Sequence, residues 1–259
     1  MAYFIDTVLV CTEEKNGEYL AIYNGGKLRY LINIKKGNAF FAKQKLCANI
    51  AAYSSKLSLL IKFLKWIPTK LLVKTGIAKR VSIKIDSEVS RALEEISREK
   101  YGKREIYFNV IVGSYVAKQK IVLQCFCPEQ KETTVYLKVG DERTDAELVA
   151  ETAYLSNPIK TKAFKSPELC FSSARSFGNQ YNIQGTKEFV GETVSPTIND
   201  DIVAMYQAIC QSCAKKINAE GKEVYFSHGD FVPWNIRKNE EGYILFDWEY
   251  CGFRFYGFD

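Results

Sequence analysis

The sequence is poor in histidine, with one in 259 residues, and in proline and methionine, with six and two. A lone histidine excludes metal sites built from several imidazoles, so zinc would need four convergent thiolates. Eight cysteines are present, but not in the paired spacing of such a site. Cys210 and Cys213 share a helical pattern with no second pair, and Cys125 and Cys127 fall on a strand. Core packing is the expected role of Cys213. No apolar run approaches the ~20 residues that span a bilayer. The first residues lack the basic start and apolar stretch of an export signal. The cysteines are therefore expected as free thiols in a reducing cytoplasm. Repeats and low-complexity tracts are absent as well.

Acidic residues are missing from Tyr19 to Ile85, where Lys and Arg number 14. That leaves 22 of the 36 basic residues against all 30 acidic ones elsewhere, so the net charge of +6 conceals two regions of opposite sign. A basic block of this length suits an anionic partner (a phospholipid surface, nucleic acid or acidic glycan) or is a solvated face. With 47% hydrophobic and 25% charged residues, the whole is balanced like a globular protein.

Residues 1–37 read as short strands and turns, with Asn24-Gly25-Gly26 as a turn. Residues 39–67 read as a helix. Ser55, Ser58, Lys62 and Lys65 form a narrow polar stripe on it, and Pro68 stops it. So wide an apolar face either packs into a core or lies on a membrane. Lys70, Lys74, Lys79 and Arg80 follow and keep the second reading open. A further helix is expected over 86–100, with Leu93 and Ile96 inward. Strands are expected at 106–112, 120–126 and 133–139, joined as an antiparallel meander. Next comes a helix to about Leu155, with Thr144 and Glu147 as a capping box. A strand at 181–186 and a helix over 198–217 complete the series.

The chemistry lies in Phe226-Ser227-His228-Gly229-Asp230-Phe231-Val232-Pro233-Trp234-Asn235 and Tyr243-Ile244-Leu245-Phe246-Asp247-Trp248-Glu249. Asn235 follows Asp230 by five residues, and Asp247 follows Asn235 by twelve, across a turn at residues 239–242. Phosphoryl transfer from ATP needs a carboxylate to orient the acceptor hydroxyl and take its proton. It also needs hard oxygen ligands for Mg²⁺. Asp230 is the candidate catalytic base, with Asn235 and Asp247 the candidate metal ligands. Strand alternation places Tyr136 and Lys138 on one face, opposite Val135, Leu137 and Val139. Lys138 is then a candidate for the ATP phosphates, paired with Glu151 of the next helix. Gly113 and Ser114 open the candidate phosphate-covering loop, which has no G-x-G-x-x-G. Adenine would be held near Gln184–Phe189.

His-Gly-Asp, four residues, Asn, then Asp-Trp-Glu resembles the signature of the aminoglycoside phosphotransferase and choline kinase superfamily. Its Asp-Phe-Val-Pro-Trp-Asn core is similar to members found with bacterial surface-polysaccharide genes. The resemblance covers residues 105 to 259. It implies an α+β, two-lobed protein-kinase-like fold. Residues 1–102 would form an N-terminal extension, 103–187 an N-lobe and 188–259 a C-lobe lacking its last helices. It also implies a mainly structural role for His228. The activity implied is ATP- and Mg²⁺-dependent phosphorylation of a small-molecule hydroxyl, on a sugar or glycolipid precursor. The setting would be cytoplasmic, peripheral to the inner face of a membrane through residues 19–85, without nucleic acid. Two alternatives stay open: a catalytically silent scaffold in polysaccharide assembly, and an aminoglycoside resistance enzyme.

Overall fold

A computed structural model of the chain describes residues 3–53, 64–113, 115–176 and 178–259. They form two compact units, Met1–Asp145 with Cys170–Glu188, and Ala146–Leu169 with Phe189–Asp259.

The first unit is built on one nine-stranded sheet. Its strands are β1 (Leu9–Glu13), β2 (Tyr19–Asn24), β3 (Lys27–Asn33), β4 (Ala78–Ile85), β5 (Tyr107–Val112), β6 (Ile121–Cys127), β7 (Gln130–Gly140), β8 (Leu169–Ser173) and β9 (Asn182–Lys187). Their order is β1-β4-β2-β3-β5-β6-β7-β9-β8. Among the described residues the unit's helices are α1 (Phe4–Val8), α2 (Ala39–Tyr53), α3 (Thr69–Lys74) and α4 (Ser87–Lys100). Gly25 and Gly26 turn β2 into β3 at φ of 58° and 75°, the two left-handed positions that a tight hairpin requires. The meander β5-β6-β7 is antiparallel throughout, as its alternation predicts.

Each face of the sheet has its own cover. Asp86 caps α4 by accepting from the Glu88 N–H at 2.8 Å. That helix buries Val89, Ala92, Leu93 and Ile96 among Leu31, Val110, Leu123 and Leu137. On the opposite face Ala42 and Leu46 of α2 and Leu72 of α3 pack with Leu20, Ile32 and Phe126. Each buried leucine contributes about 2 kcal/mol, so these apolar stripes are what hold the helices on the sheet. A polar network also crosses this second face. Asn109 donates to the Ala42 carbonyl and to Gln124 Oε1, both at 2.9 Å. Gln124 donates to the Lys45 carbonyl at 3.1 Å and to the Tyr136 hydroxyl at 2.8 Å. Tyr136 reaches Glu188 Oε1 at 3.2 Å, and Lys45 closes the chain on Glu188 Oε2 at 2.7 Å.

The sheet runs without a break across the boundary expected at 102/103, because Tyr30 and Leu31 of β3 pair with Ile111 and Val110 of β5. Of the four basic residues that follow the expected helix, Lys70 and Lys74 lie on α3, and Lys79 and Arg80 on β4, between β1 and β2. There Lys79 pairs with Glu13, and Arg80 donates to the Gly17 carbonyl. Of the helix expected over 39–67, the structure describes α2 and the segment from Leu64. Ser55, Ser58 and Lys62 lie outside the described residues.

The second unit holds α5 (Asp145–Ser156) and α6 (Asp200–Gln211). It has two small sheets. One joins β10 (Glu192–Thr193), β13 (Ile236–Asn239) and β14 (Gly242–Leu245); the other joins β11 (Lys216–Ile217), β12 (Glu223–Ser227) and β15 (Gly252–Arg254). Tyr154, Leu155, Phe164, Met205, Ile209 and Trp248 centre its core. Two details differ from expectation. The Thr144 hydroxyl donates back to the Asp141 carbonyl at 3.0 Å, because a 3-10 turn over Glu142–Thr144 leads into α5, so it does not cap that helix. α6 ends at Gln211, short of the expected 217, which leaves Cys213 exposed while Cys210 is buried.

Candidate functional site

The second unit assembles the motif residues around two strand ends. β13 and β14 pair with Ile236 opposite Leu245. This register brings Asn235 beside Phe246, whose N–H donates to the Asn235 carbonyl at 3.1 Å. Asn235 is 2% exposed. Its Nδ2 donates to Asp230 Oδ2 at 2.9 Å and to the Asp230 backbone carbonyl at 3.0 Å. With the amide nitrogen committed to the carboxylate, the side-chain oxygen is what Asn235 offers a cation.

The loop before Asp230 is held in three ways. His228 is fully buried, and its Nδ1 accepts the Asp230 N–H at 3.2 Å. Nε2 must then carry the proton and donate to the Phe246 carbonyl at 3.0 Å. Burial pushes this imidazole below its ordinary pKa of 6.5, against the opposing pull of the Phe246 carbonyl and nearby carboxylates. Both nitrogens serve backbone groups, a structural role like the one the resemblance implies. Gly229 has φ of 87°, and a Cβ there would stand 2.2 Å from the Tyr250 carbonyl oxygen. Only glycine fits that approach. Asp259 accepts from the Ser227 hydroxyl at 2.6 Å, the His228 N–H at 2.8 Å and the Gly229 N–H at 2.6 Å. Nothing in its local sequence singles Asp259 out; only the folded chain shows it as the loop's anchor.

Asp247 is one of two non-glycine residues with positive φ among the described residues, at φ 70° and ψ 53°. Such a conformation costs of order 1 kcal/mol and must be imposed by its surroundings. Trp248 imposes it: fully buried, it stacks on Tyr154 of α5 at 3.8 Å and donates to the Leu245 carbonyl at 2.9 Å. Glu151 lies three residues before Tyr154 on the same helix face. One carboxylate oxygen from each of Glu151, Asp247 and Glu249 falls within 4.8 Å of the others. Burial, then the charges of Glu249, Glu147 and Asp247, pushes the Tyr250 phenol up to about 12. Three carboxylate oxygens at this density fit Mg²⁺ by donor chemistry. Glu249 was quoted in the motif but not foreseen as a member of this set.

The remaining candidates lie in the first unit. Lys138 is half-buried on β7, opposite Val122 of β6 and Gln184 of β9. Val135, Leu137 and Val139 face the core, as alternation predicts. Gly113 closes the β5–β6 turn, its N–H on the Lys120 carbonyl at 3.2 Å. Tyr115 ties that turn to the Leu28 carbonyl through its hydroxyl at 2.8 Å. Ser114 lies outside the described residues. Gln184 is 1% exposed, and among the described residues neither polar atom of its amide has a hydrogen-bond partner. A buried amide of this kind is a place for an ordered water or a ligand's polar group.

No family model matches the chain, and no curated protein matches it. Among solved structures it is similar to aminoglycoside phosphotransferase APH(4)-Ia, at 12% identity and a TM-score of 0.41, over 64% of this chain and 73% of that one. A thermostable mutant of that enzyme in its apo form gives 12% identity and a TM-score of 0.39, over 62% and 72%. The thermostable mutant in ternary complex with AMP-PNP and hygromycin B gives 12% and 0.41 over the same shares. The likeness is distant and covers part of the fold.

Proposed function

We infer that the chain transfers the γ-phosphoryl group of ATP to a hydroxyl of a small molecule, in a Mg²⁺-dependent reaction, with a sugar or glycolipid precursor as acceptor. The observation that carries this is the bond from Asn235 Nδ2 to Asp230 Oδ2. It fixes the carboxylate and leaves the amide oxygen of Asn235 as the atom available to a cation. Asp230 orients the acceptor hydroxyl and takes its proton at Oδ1. The acceptor oxygen then bonds to the γ-phosphorus as the bond from that phosphorus to the bridging oxygen breaks, and ADP leaves. Mg²⁺, held by Asn235 and Asp247, supplies neutralising charge at the phosphoryl oxygens when bound. Glu151 and Glu249 extend the acidic set, while Lys138, Gly113 and Ser114 serve the nucleotide phosphates.

Calorimetry of ATP binding with and without Mg²⁺ tests the reading. The wild-type chain should bind Mg²⁺-ATP, and Asp247→Ala should lose the Mg²⁺-dependent part. Asp230→Asn should bind nucleotide normally and lose about 10²- to 10⁴-fold in transfer rate. Sugars and glycolipid precursors serve as acceptors in the transfer assay. A folded wild-type chain that ignores Mg²⁺-ATP, or an Asp230→Asn chain with undiminished transfer, refutes it.

A further inference from the structure

The first unit leaves one group of large apolar side chains exposed beside lysines. Trp66 is 64% exposed, Ile77 55%, Leu71 48% and Phe40 47%. Phe40 and Trp66 touch, with ring centroids 5.3 Å apart, and Lys65 Nζ lies 5.5 Å from the Trp66 ring. The short helix α3 follows within three residues. It buries only Leu72, so Lys70 and Lys74 point away from the protein and Leu71 and Val73 flank them. A monomer gains nothing by showing water a tryptophan and a phenylalanine in contact, with three exposed aliphatic residues in the next eleven positions of the chain.

The charge around this group decides what covers it. Lys65, Lys70 and Lys74 carry no carboxylate partner among the described residues, whereas Lys35, Lys45 and Lys79 of the same basic block are paired with Glu105, Glu188 and Glu13. The block therefore divides into cations used inside the fold and cations left at the apolar patch. Aromatic rings with an indole, aliphatic side chains and lysines on long stems are what a headgroup layer accepts. The rings enter the acyl boundary while the ammonium groups stay at the phosphates. Among the described residues no helix is long and apolar enough to cross a membrane, so attachment here is to a surface. We propose that Phe40, Trp66, Leu71 and Ile77, with Lys65, Lys70 and Lys74, dock the chain on an anionic lipid surface.

The full chain is sedimented with phosphatidylcholine vesicles, with and without phosphatidylglycerol. It should follow only the anionic vesicles, with a blue shift of tryptophan emission that Trp66→Ser removes. Lys70→Gln and Lys74→Gln should each weaken partitioning about fivefold, and raised salt should weaken it further. All these side chains are exposed, so the variants should keep the wild-type circular dichroism and thermal midpoint. Failure to sediment with anionic vesicles overturns the proposal. So does binding that is unchanged in Trp66→Ser and both lysine variants. Self-association through the patch, or tighter binding to RNA than to vesicles that the same variants abolish, also overturns it.

Discussion

Replacing Asp259 with alanine should release the loop that carries Asp230. The carboxylate takes three hydrogen bonds, from the Ser227 hydroxyl, the His228 N–H and the Gly229 N–H. Gly229 keeps an acceptor in the variant, because its N–H also reaches Ser227 Oγ at 3.1 Å. The net loss is two bonds to a charged group at residues that are themselves buried, each worth about 1.5–3 kcal/mol. Taking the lower end for a partly solvated carboxylate gives about 3 kcal/mol of local stability, more than a hundredfold in an opening equilibrium. Amide hydrogen exchange reads this directly. The His228 and Gly229 amides should exchange at least a hundredfold faster, while those of β6 in the first unit keep their rates. Asp259→Asn retains one acceptor oxygen and should fall between. Less than a tenfold change at His228 and Gly229 in the alanine variant would refute the anchoring role.

Two further perturbations test the frame around the site. His228 is the sole histidine, so its imidazole signals in NMR are unambiguous; they should titrate below 6.5 and report the tautomer protonated at Nε2. Because burial lowers the folded pKa, the unfolded chain takes up the proton first. Stability is thus fully present above pH 6.5 and falls as pH drops below it, by at most about 1.4 kcal/mol per pH unit, a slope absent from His228→Asn. A folded imidazole titrating at or above 6.5 would contradict the assignment. In the first unit, Glu188→Gln should cost about 3 kcal/mol in thermal or denaturant unfolding, because Lys45 is left charged and largely enclosed. Lys45→Met combined with Glu188→Gln should recover most of that loss.

The sequence made the local features legible where one residue type has one physical meaning. Gly25-Gly26 had to be a hairpin, Pro68 had to break a helix, and the alternation in β7 had to separate Lys138 from Val135, Leu137 and Val139. It concealed what depends on partners distant in the chain. Lys79 and Arg80 read as continuing a basic stretch until β4 is seen paired between β1 and β2. Asn109 and Gln124 look like polar interruptions of two strands. They are the buried links that fasten the α2 carbonyls to the sheet, some 67 and 79 residues away. Thr144 and Cys213 were misread for a related reason. A 3-10 turn and an early helix end shift which atoms face inward, and such boundaries are the part of a helix that periodicity defines least.

The spacing of the site residues follows from geometry once the hairpin is seen. Asn235 directly precedes β13 and Asp247 follows β14 with only Phe246 between, so two four-residue strands and a tight turn return the chain to its starting point. Side chains alternate faces along each strand, and a one-residue slip would send Asp247 to the other face. The twelve-residue interval is therefore set by pairing, and the turn at residues 239–242 is where its length is least constrained. Trp248 adds the second constraint. By stacking on Tyr154 it fixes the helix phase that places Glu151 near Asp247. A pattern of widely spaced carboxylates becomes one acidic locus because a hairpin register and one aromatic stack act on the same two residues, Asp247 and Trp248.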